Sequence, residues 1–438
     1  MPNRHVSEIH TSEITDLLHF LNASPTAWHA VENVADRLQK AGFQPLKEEA
    51  EWVIQPGGRY YVTRNGSSLC AFIVPKAAIQ DVRLLASHTD SPSLKLKPNA
   101  EFTKENMLLL GVEVYGSPLL NSWLNRDLGI AGRVAIRDAQ GQLKEVLVRL
   151  DAHPVVIPQL AIHLDRNVNE NGLLLNKQEH LAALAAVDLP VDVIKEGYLA
   201  QLIKEQVPYQ KLLGADLFLF PLEPAALVGY QKRLIASYRI DSLCSVHAIT
   251  TAFVKPESQN AVDATLKMAV LWDNEEIGSG TAQGANSPFL MHVLERITLA
   301  QQISRADYLR LLNRSLCISI DLAHALHPNY MERHEPRHPI LLNRGVALKN
   351  NAQQRYATDA RSAAQLIDLC DRHQIPLQKM VTRGDIPCGT TIGPIHAQLT
   401  GMLTVDIGTP QLSMHACREL ASCRDHLYLC QLLTEILK

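Results

Sequence analysis

The segment V-R-L-L-A-S-H-T-D-S-P, residues 82–92, carries the pattern that decides the fold. Its first six residues, 82–87, form a short and mostly apolar run that is typical of a buried β-strand. His88 and Asp90 follow at once, and Pro92 favours a turn because it disfavours helical backbone in the residue before it. The segment therefore predicts a buried strand that ends in polar side chains.

The same arrangement, a carboxylate or a histidine just past an apolar run, recurs along the chain. Its further members are Asp241 after R-L-I-A-S-Y-R-I (233–240), Glu275 and Glu276 after K-M-A-V-L-W-D-N (267–274), Asp321 after S-L-C-I-S-I (315–320) and His415 after M-L-T-V-D-I-G-T-P-Q-L-S-M (402–414). In open α/β sheets, ligands bind outside the carboxyl ends of the strands. These groups, although distant in sequence, can therefore meet at one edge of one sheet.

Helical and apolar strand-like segments alternate over much of the chain, which favours an α/β fold with a mostly parallel sheet. The predicted helices cover residues 13–41, 358–373, 412–437 and, with a loop as the alternative, 178–188 and 196–207. Strand-like pieces separated by Gly and Asp turns dominate from about Ser93 to Ala236. We therefore predict a three-layer α/β domain of residues 1–92 and 235–438, interrupted by a β-rich insertion of residues 93–234.

Composition narrows the class of protein. The 438 residues carry a formal net charge of -3, so no basic surplus points to nucleic acid. No apolar run approaches the length of a membrane-spanning helix, and residues 1–14 lack the apolar stretch of a signal peptide. We expect a cytoplasmic protein without membrane or nucleic-acid partners. The eight cysteines show no C-x-x-C spacing, so we expect free thiols in the core.

The polar groups at the strand ends suit two divalent metal ions. Imidazole and carboxylate are zinc ligands, and two metals about 3.5–4 Å apart need a bridging group. Two histidines and three carboxylates supply one bridge, with one histidine and one further carboxylate for each metal. Of the adjacent Glu275 and Glu276, one can bind metal while the other faces water as a general base. Taken singly, each residue is more often an ordinary turn, loop or packed side chain.

Several longer motifs occur in a fixed order along the chain. They are A-S-H-T-D-S-P-S-L-K-L-K-P (86–98), I-H-L-D-R-N-V-N-E (162–170), W-D-N-E-E-I-G-S (272–279), S-I-D-L-A-H-A-L-H-P-N-Y (319–330), N-A-Q-Q-R-Y-A-T (351–358), D-I-P-C-G-T-T-I-G-P (385–394) and G-T-P-Q-L-S-M-H-A-C-R-E (408–419). With these motifs, the chain resembles the aspartyl aminopeptidases, a family of two-zinc metallopeptidases, over nearly its whole length.

The resemblance implies a role for each residue of the strand-end set. It makes His88 and Asp321 ligands of the first zinc, Glu276 and His415 ligands of the second, Asp241 the bridge, Asp90 the group that orients His88, and Glu275 the general base. The implied metal is zinc. Manganese and cobalt are the alternatives, because they bind the same types of ligand.

The resemblance also implies residues that contact substrate. His163, in the insertion, is expected to reach a neighbouring subunit's active site, and His327 to contact the substrate or transition state. Lys349 stands where the family recognises an acidic side chain, with Arg355 as the competing cation. Ser242 departs from the family, which usually has Asn after the bridging Asp, so a hydrogen bond near the metals is expected to differ.

The implied function is removal of the N-terminal residue of peptides, with a preference for Asp or Glu. The implied assembly is a homo-oligomer, a tetrahedral dodecamer built from dimers through the inserted domain. One rival is another two-metal hydrolase, such as a deacylase or a carboxypeptidase. The other is a non-enzymatic shell or cargo protein that has kept the fold, and the presence of Glu275 argues against it.

Overall fold

The computed structural model describes residues 12–190, 196–255 and 264–438, which form two compact units. The first unit runs to Asp90 and continues through Ala225–Met414 and Glu419–Lys438, and the second unit is Ser91–Pro224 with His415–Arg418. The sequence-based domain boundaries fall at 92/93 and 234/235. A role of the insertion in dimerisation stays a prediction.

The strands of the first unit are mostly short and buried. They are β1 (Gln44–Leu46), β2 (Arg59–Arg64), β3 (Ser68–Ile73), β4 (Asp81–His88), β11 (Ala226–Val228), β12 (Leu234–Ser237), β13 (Thr265–Trp272), β14 (Leu316–Ile320), β15 (Ala323–His324), β16 (Val346–Asn350), β17 (Leu377–Val381), β18 (Leu403–Gly408), β19 (Pro410–Leu412) and β20 (Glu419–Ser422). Those of the second unit are β5 (Ser93–Lys104), β6 (Met107–Tyr115), β7 (Leu128–Arg137), β8 (Leu143–Val155), β9 (Ala183–Val187) and β10 (Lys211–Pro221).

The first unit is built on one large sheet of mixed but mainly parallel pairing. Among the described residues its strand order is β1-β2-β3-β13-β4-β14-β18-β16-β17. Strand β4 lies at the centre and pairs parallel with both β13 and β14. A smaller sheet of order β11-β12-β20-β19-β15 belongs to the same unit. The predicted mostly parallel α/β sheet is confirmed.

Helices cover both faces of the large sheet. Within the described residues the helices are α1 (Ser12–Ala23), α2 (Ala27–Lys40), α3 (Val168–Asn171), α4 (Tyr198–Gln206), α5 (Ile240–Val254), α6 (Phe289–Ala300), α7 (Arg305–Arg314), α8 (Ala360–His373), α9 (Gly393–Thr400) and α10 (Cys423–Ile436). Of these, α3 and α4 belong to the second unit.

Successive side chains of the central strands point to opposite faces of the large sheet, so the first unit has two apolar cores. Leu85 of β4 packs in one core with residues of α1, α2, α5 and α10, such as Phe20 and Phe253. Its neighbour Leu84 points to the opposite face and packs in the other core with residues of α6 and α7, such as Phe289. The arrangement of helices, sheet and helices is the predicted three-layer architecture.

Two predicted helices differ from the structure. Residues 13–41 form two helices because α1 ends at Ala23 and α2 begins at Ala27, with Pro25 between them. Proline lacks an N–H group and clashes with the preceding turn of a helix. The predicted helix over 412–437 begins only at Cys423, since Glu419–Ser422 instead pairs antiparallel with β12.

The second unit is a β-rich body, as the sequence predicts. Among the described residues its strands form one antiparallel sheet in the order β8-β7-β10-β5-β6-β9. Residues 183–187, where the sequence favours helix or loop, form the edge strand β9, which pairs with β6. In the described part of the chain, no helix has the length and apolar character needed to cross a membrane.

The capping box of α8 gives a test of the local structure. The Asp359 carboxylate accepts hydrogen bonds from the N–H groups of Arg361 and Ser362, and Ser362 Oγ accepts from Asp359 N–H. We expect Asp359→Ala to destabilise the first turn by about 1 kcal/mol. Amide hydrogen exchange of a peptide covering 359–366 should then become roughly fivefold faster. Gln365→Ala, an exposed change in the same helix, is the control, and equal exchange in both variants would contradict the prediction.

Candidate metal centre

Three neighbouring strands deliver most of the predicted site to one edge of the large sheet. His88 is the last residue of β4, and its register partner on the parallel strand β13 is Trp272. Glu275 and Glu276 lie in a short 3₁₀ turn three residues after β13 ends. Asp321 follows directly after β14, on the other side of β4. The carboxyl ends of the three parallel strands therefore bring these side chains together, as the sequence predicts.

Asp241 joins this group from outside the large sheet. It stands at the beginning of α5, just after β12, with non-helical backbone. Its Oδ1 lies 3.3 Å from His88 Nε2, and Asp321 Oδ1 lies 3.4 Å from the same nitrogen. One ring nitrogen thus faces an oxygen of each of two carboxylates that come from distant parts of the chain.

Asp90 holds the His88 ring from the other side. His88 Nδ1 lies 3.1 Å from the Asp90 carbonyl oxygen and 3.4 Å from Asp90 Oδ1. Both atoms are acceptors, so Nδ1 carries a proton and donates it. Nε2 is then the nitrogen that points at Asp241 and Asp321. A histidine oriented in this way by a carboxylate is the usual arrangement of a metal ligand.

The Asp90 carboxylate also fixes the turn that carries the two glutamates. Its Oδ1 accepts from Glu275 N–H and its Oδ2 from Glu276 N–H, both at 3.1 Å. Asp90 is buried, with 3% of its surface exposed. One side chain therefore links the end of β4 to the turn after β13.

The electrostatics of the site favour a bound cation. Burial would lower the pKa of His88, but Asp241, Asp321 and Asp90 together raise it well above its usual value. Burial raises the pKa of Glu275 to about 8, with repulsion from the neighbouring aspartates adding to the effect and His88 opposing it. Burial, followed by repulsion from Asp241 and Glu275, raises the pKa of Glu276 well above its usual range. Positive charge placed among these groups would relieve the repulsion between them.

The donor atoms fit zinc. Ligand atoms of His88, Asp241 and Asp321 all lie within 4.8 Å of one another, and so do those of His88, Glu275 and Glu276. Imidazole nitrogen and carboxylate oxygen are the zinc ligands that such groups offer. The two sets share His88 and differ in their carboxylates.

Lys349 lies against Asp321 at the inner wall of the site. Its side chain is 2% exposed, and Nζ lies 3.2 Å from Asp321 Oδ2 and 5.3 Å from the centre of the Tyr356 ring. Burial alone would raise the pKa of Asp321, but Lys349 and His88 hold it well below its usual range. Arg355, the competing cation, is exposed.

The sequence also predicts roles at the site for three further histidines. His415 belongs to the second unit, where its Nδ1 donates to the Ser117 carbonyl at 3.1 Å. His163 lies in an exposed turn of that unit. His327, in the first unit, packs its ring on Tyr330 and accepts from Asn329 N–H. The assignments of His415 to the second metal and of His163 and His327 to substrate stay predictions.

Some residues that hydrogen-bond to the site segments are not singled out by the sequence patterns. Glu419 Oε2 accepts from Asp241 N–H at 3.0 Å, and Arg239 donates to the Thr89 carbonyl. Glu419 closes the motif 408–419, and this is the signal that could have found it. Ser242, which replaces the usual Asn, places its Oγ 3.1 Å from Ser87 Oγ.

The chain is similar to known proteins over nearly its whole length. Residues 20–436 match the family described as aminopeptidase I zinc metalloprotease (M18). A probable M18 family aminopeptidase 2 of Streptomyces coelicolor is 41% identical over 94% of both chains. A probable aspartyl aminopeptidase of Ricinus communis is 35% identical over 94% of this chain and 92% of its own. The solved mApe1 dodecamer of S. cerevisiae superposes with a TM-score of 0.83 at 28% identity, over 97% of this chain and 96% of that one.

The family match covers both units and every segment that contributes to the site. Histidine, aspartate and glutamate side chains at the strand ends are the ligand types that a zinc peptidase requires. The sequence match and the donor set thus agree, and the chain belongs to the M18 family of zinc metallo-aminopeptidases.

Proposed function

We propose that this aminopeptidase uses two zinc ions and prefers peptides with an N-terminal Asp or Glu. The observation that carries the two-metal proposal is the meeting of His88 Nε2 with Asp241 and Asp321 at 3.3 and 3.4 Å. His88 and Asp321 would hold the first ion, and Asp241 would bridge to the second. Glu276 and His415, for which the family resemblance implies this role, would hold the second ion.

Glu275 is the proposed general base. When bound, the zinc ions supply Lewis-acid chemistry that polarises the scissile carbonyl and activates water. The Glu275 carboxylate takes a proton from the attacking water as the water oxygen bonds to the carbonyl carbon. The same carboxyl group then gives that proton to the amine nitrogen as the C–N bond breaks. Asp90 positions Glu275 through the hydrogen bond to its backbone N–H.

Lys349 is the proposed anchor for an acidic substrate side chain. An ammonium group has three donors, and Asp321 Oδ2 occupies one of them at 3.2 Å. A buried cation at the wall of the site attracts a carboxylate more strongly than a solvated one does, because screening by water is weaker there. The probable aspartyl aminopeptidase among the relatives supports an acidic preference.

The proposed assembly is a tetrahedral dodecamer built from dimers through residues 93–234. The dodecameric mApe1 relative supports a closed homo-oligomer. In such an assembly His163 would complete a neighbouring subunit's site, and His327 would contact the substrate. A closed shell would also restrict the substrates to peptides.

Glu275→Gln tests the general base. The substitution keeps the size of the side chain, but the amide group of Gln cannot accept the proton. We therefore expect kcat to fall by about 10²–10⁴-fold. Metal content, measured by elemental analysis of the purified chain, should equal that of the wild type. Glu276→Gln is the matched control at the next position, and it should lower the metal content by one ion per chain. A Glu275→Gln enzyme with near-normal turnover would eliminate this mechanism.

Lys349→Met tests the acidic preference. Loss of a charge-assisted hydrogen bond is worth about 1.5–3 kcal/mol. On aspartyl and glutamyl substrates, kcat/KM should therefore fall by roughly 10–150-fold, mostly through KM. Alanyl and leucyl substrates should change little, and Arg355→Gln serves as the control cation. An equal loss on all substrates, accompanied by loss of metal, would show that Lys349 serves Asp321 alone.

Light scattering of the full-length protein tests the assembly. If the protein is a dodecamer, the measured mass should be twelve times the chain mass of 48.6 kDa. Cleavage of short peptides with no cleavage at the exposed N-termini of folded proteins should accompany it. A monomer at all concentrations would overturn the proposal.

A further inference from the structure

A second group of metal-ligating side chains lies inside the helical layer of the first unit. His247 of α5 and His426 and Cys430 of α10 are all buried. His247 Nδ1 lies 3.0 Å from His426 Nε2, and Cys430 Sγ lies 3.5 Å from the same His426 nitrogen. The three atoms are mutually within 4.8 Å. The proposed peptidase mechanism uses none of these residues.

The spacing along α10 brings two of these groups onto one face. His426 and Cys430 are four residues apart, so their side chains lie one turn apart on the same side of the helix. The distance of 3.0 Å between His426 Nε2 and His247 Nδ1 shows that this side faces α5. The chain thus presents an imidazole and a thiol to an imidazole on the neighbouring helix.

Asp16 of α1 orients the His247 ring. Asp16 Oδ2 lies 2.9 Å from His247 Nε2, and the Arg37 guanidinium binds both oxygens of the same carboxylate at 2.6 and 2.8 Å. The carboxylate accepts, so His247 Nε2 carries the proton and Nδ1 keeps its lone pair toward His426. A carboxylate on one imidazole nitrogen with a metal on the other is a recurrent arrangement in metalloproteins.

Among the described residues, only His247 and Cys430 form hydrogen bonds with the ring nitrogens of His426, and both do so at Nε2. Its Nδ1 is buried and has no hydrogen-bond partner among the described residues. The proton can therefore reside on Nδ1, which frees the lone pair of Nε2. Both imidazoles can then direct a lone pair to the space that Cys430 Sγ also faces.

We propose that His247 Nδ1, His426 Nε2 and Cys430 Sγ bind a thiophilic transition-metal ion, zinc or copper(I), at a site separate from the candidate metal centre. Zinc–nitrogen bonds of about 2.0–2.1 Å and zinc–sulfur bonds of about 2.3 Å at near-tetrahedral angles place ligand atoms roughly 3.3–3.6 Å apart. The observed separations of 3.0 and 3.5 Å are close to these values. Copper(I) shares the preference for a thiolate with imidazoles.

Binding of the ion through these three atoms would release one proton. Burial raises the pKa of the Cys430 thiol to about 12, so the free thiol is protonated at neutral pH. The S–H bond breaks, a sulfur–metal bond forms and one proton leaves to solvent, while the His426 proton moves only from Nε2 to Nδ1. The thiolate then compensates one unit of the charge of the ion, while the Asp16 carboxylate, which is already paired with Arg37, orients the His247 ring. The bound ion would connect α5 and α10, with α1 attached through Asp16.

Cobalt substitution tests this site independently of catalysis. The candidate metal centre offers imidazole and carboxylate, so a near-ultraviolet thiolate-to-cobalt charge-transfer band reports a cysteine ligand alone. Full-length protein exchanged with Co²⁺ should show this band, and Cys430→Ser should abolish it without loss of aminopeptidase activity. Bleaching of the band by added Zn²⁺ or by added Cu⁺ identifies the ion that binds more tightly. Absence of the band in the wild type, or its survival in Cys430→Ser, would overturn the proposal.

Two further variants serve as controls for loss of the band by causes other than loss of the Cys430 ligand. Cys317→Ser removes a thiol that is also buried and lies 3.5 Å from His396 Nδ1, so it should keep the band. Asp16→Asn changes a side chain that is 48% exposed and should weaken Co²⁺ binding by about 10–100-fold while the fold is retained. An unchanged affinity in Asp16→Asn would contradict the assigned role of the carboxylate.

Discussion

Repulsion between clustered carboxylates is the constraint that shapes the edge of the central sheet. Asp241, Glu275, Glu276 and Asp321 gather around His88, and like charges in such a place raise one another's pKa unless something compensates them. The protein compensates some carboxylates with its own groups. Asp321 has Lys349, and Asp90, beside the cluster, has the two backbone N–H groups of the turn after β13. The glutamates keep raised pKa values, and this remaining imbalance is what a zinc peptidase can use.

The sequence predicts the part of the site that depends on strand order. His88, the Glu275–Glu276 turn and Asp321 follow β4, β13 and β14, and parallel strands end at the same edge. The hydrogen bonds around them could not be predicted, because they join distant segments. Asp90 to the turn after β13 and Glu419 to Asp241 each depend on how loops meet. Local patterns also misplaced helix limits where Pro25 interrupts a periodic stretch, and where strand pairing takes residues 419–422.

The first unit contains two clusters of possible metal ligands, and the two differ in ligand type. The strand-end cluster offers oxygen and imidazole at the edge of the sheet, where the substrate of a peptidase must enter. The cluster between α5 and α10 offers a thiol and two imidazoles in the apolar helical layer. Helix α5 carries both Asp241 and His247, so an ion at the inner cluster would brace the same helix that begins with the proposed bridging ligand.

The pairing of Lys349 with Asp321 connects metal binding to substrate recognition. While Asp321 is a bare carboxylate, it neutralises the ammonium group and reduces the attraction of that group for a substrate carboxylate. When Asp321 shares its negative charge with a zinc ion, Lys349 regains an effective positive charge toward the substrate. The two proposals are then not independent, since the ion that Asp321 helps to hold would also strengthen the acidic preference. Loss of that ion alone would lower the discrimination between acidic and neutral substrates as well as the rate.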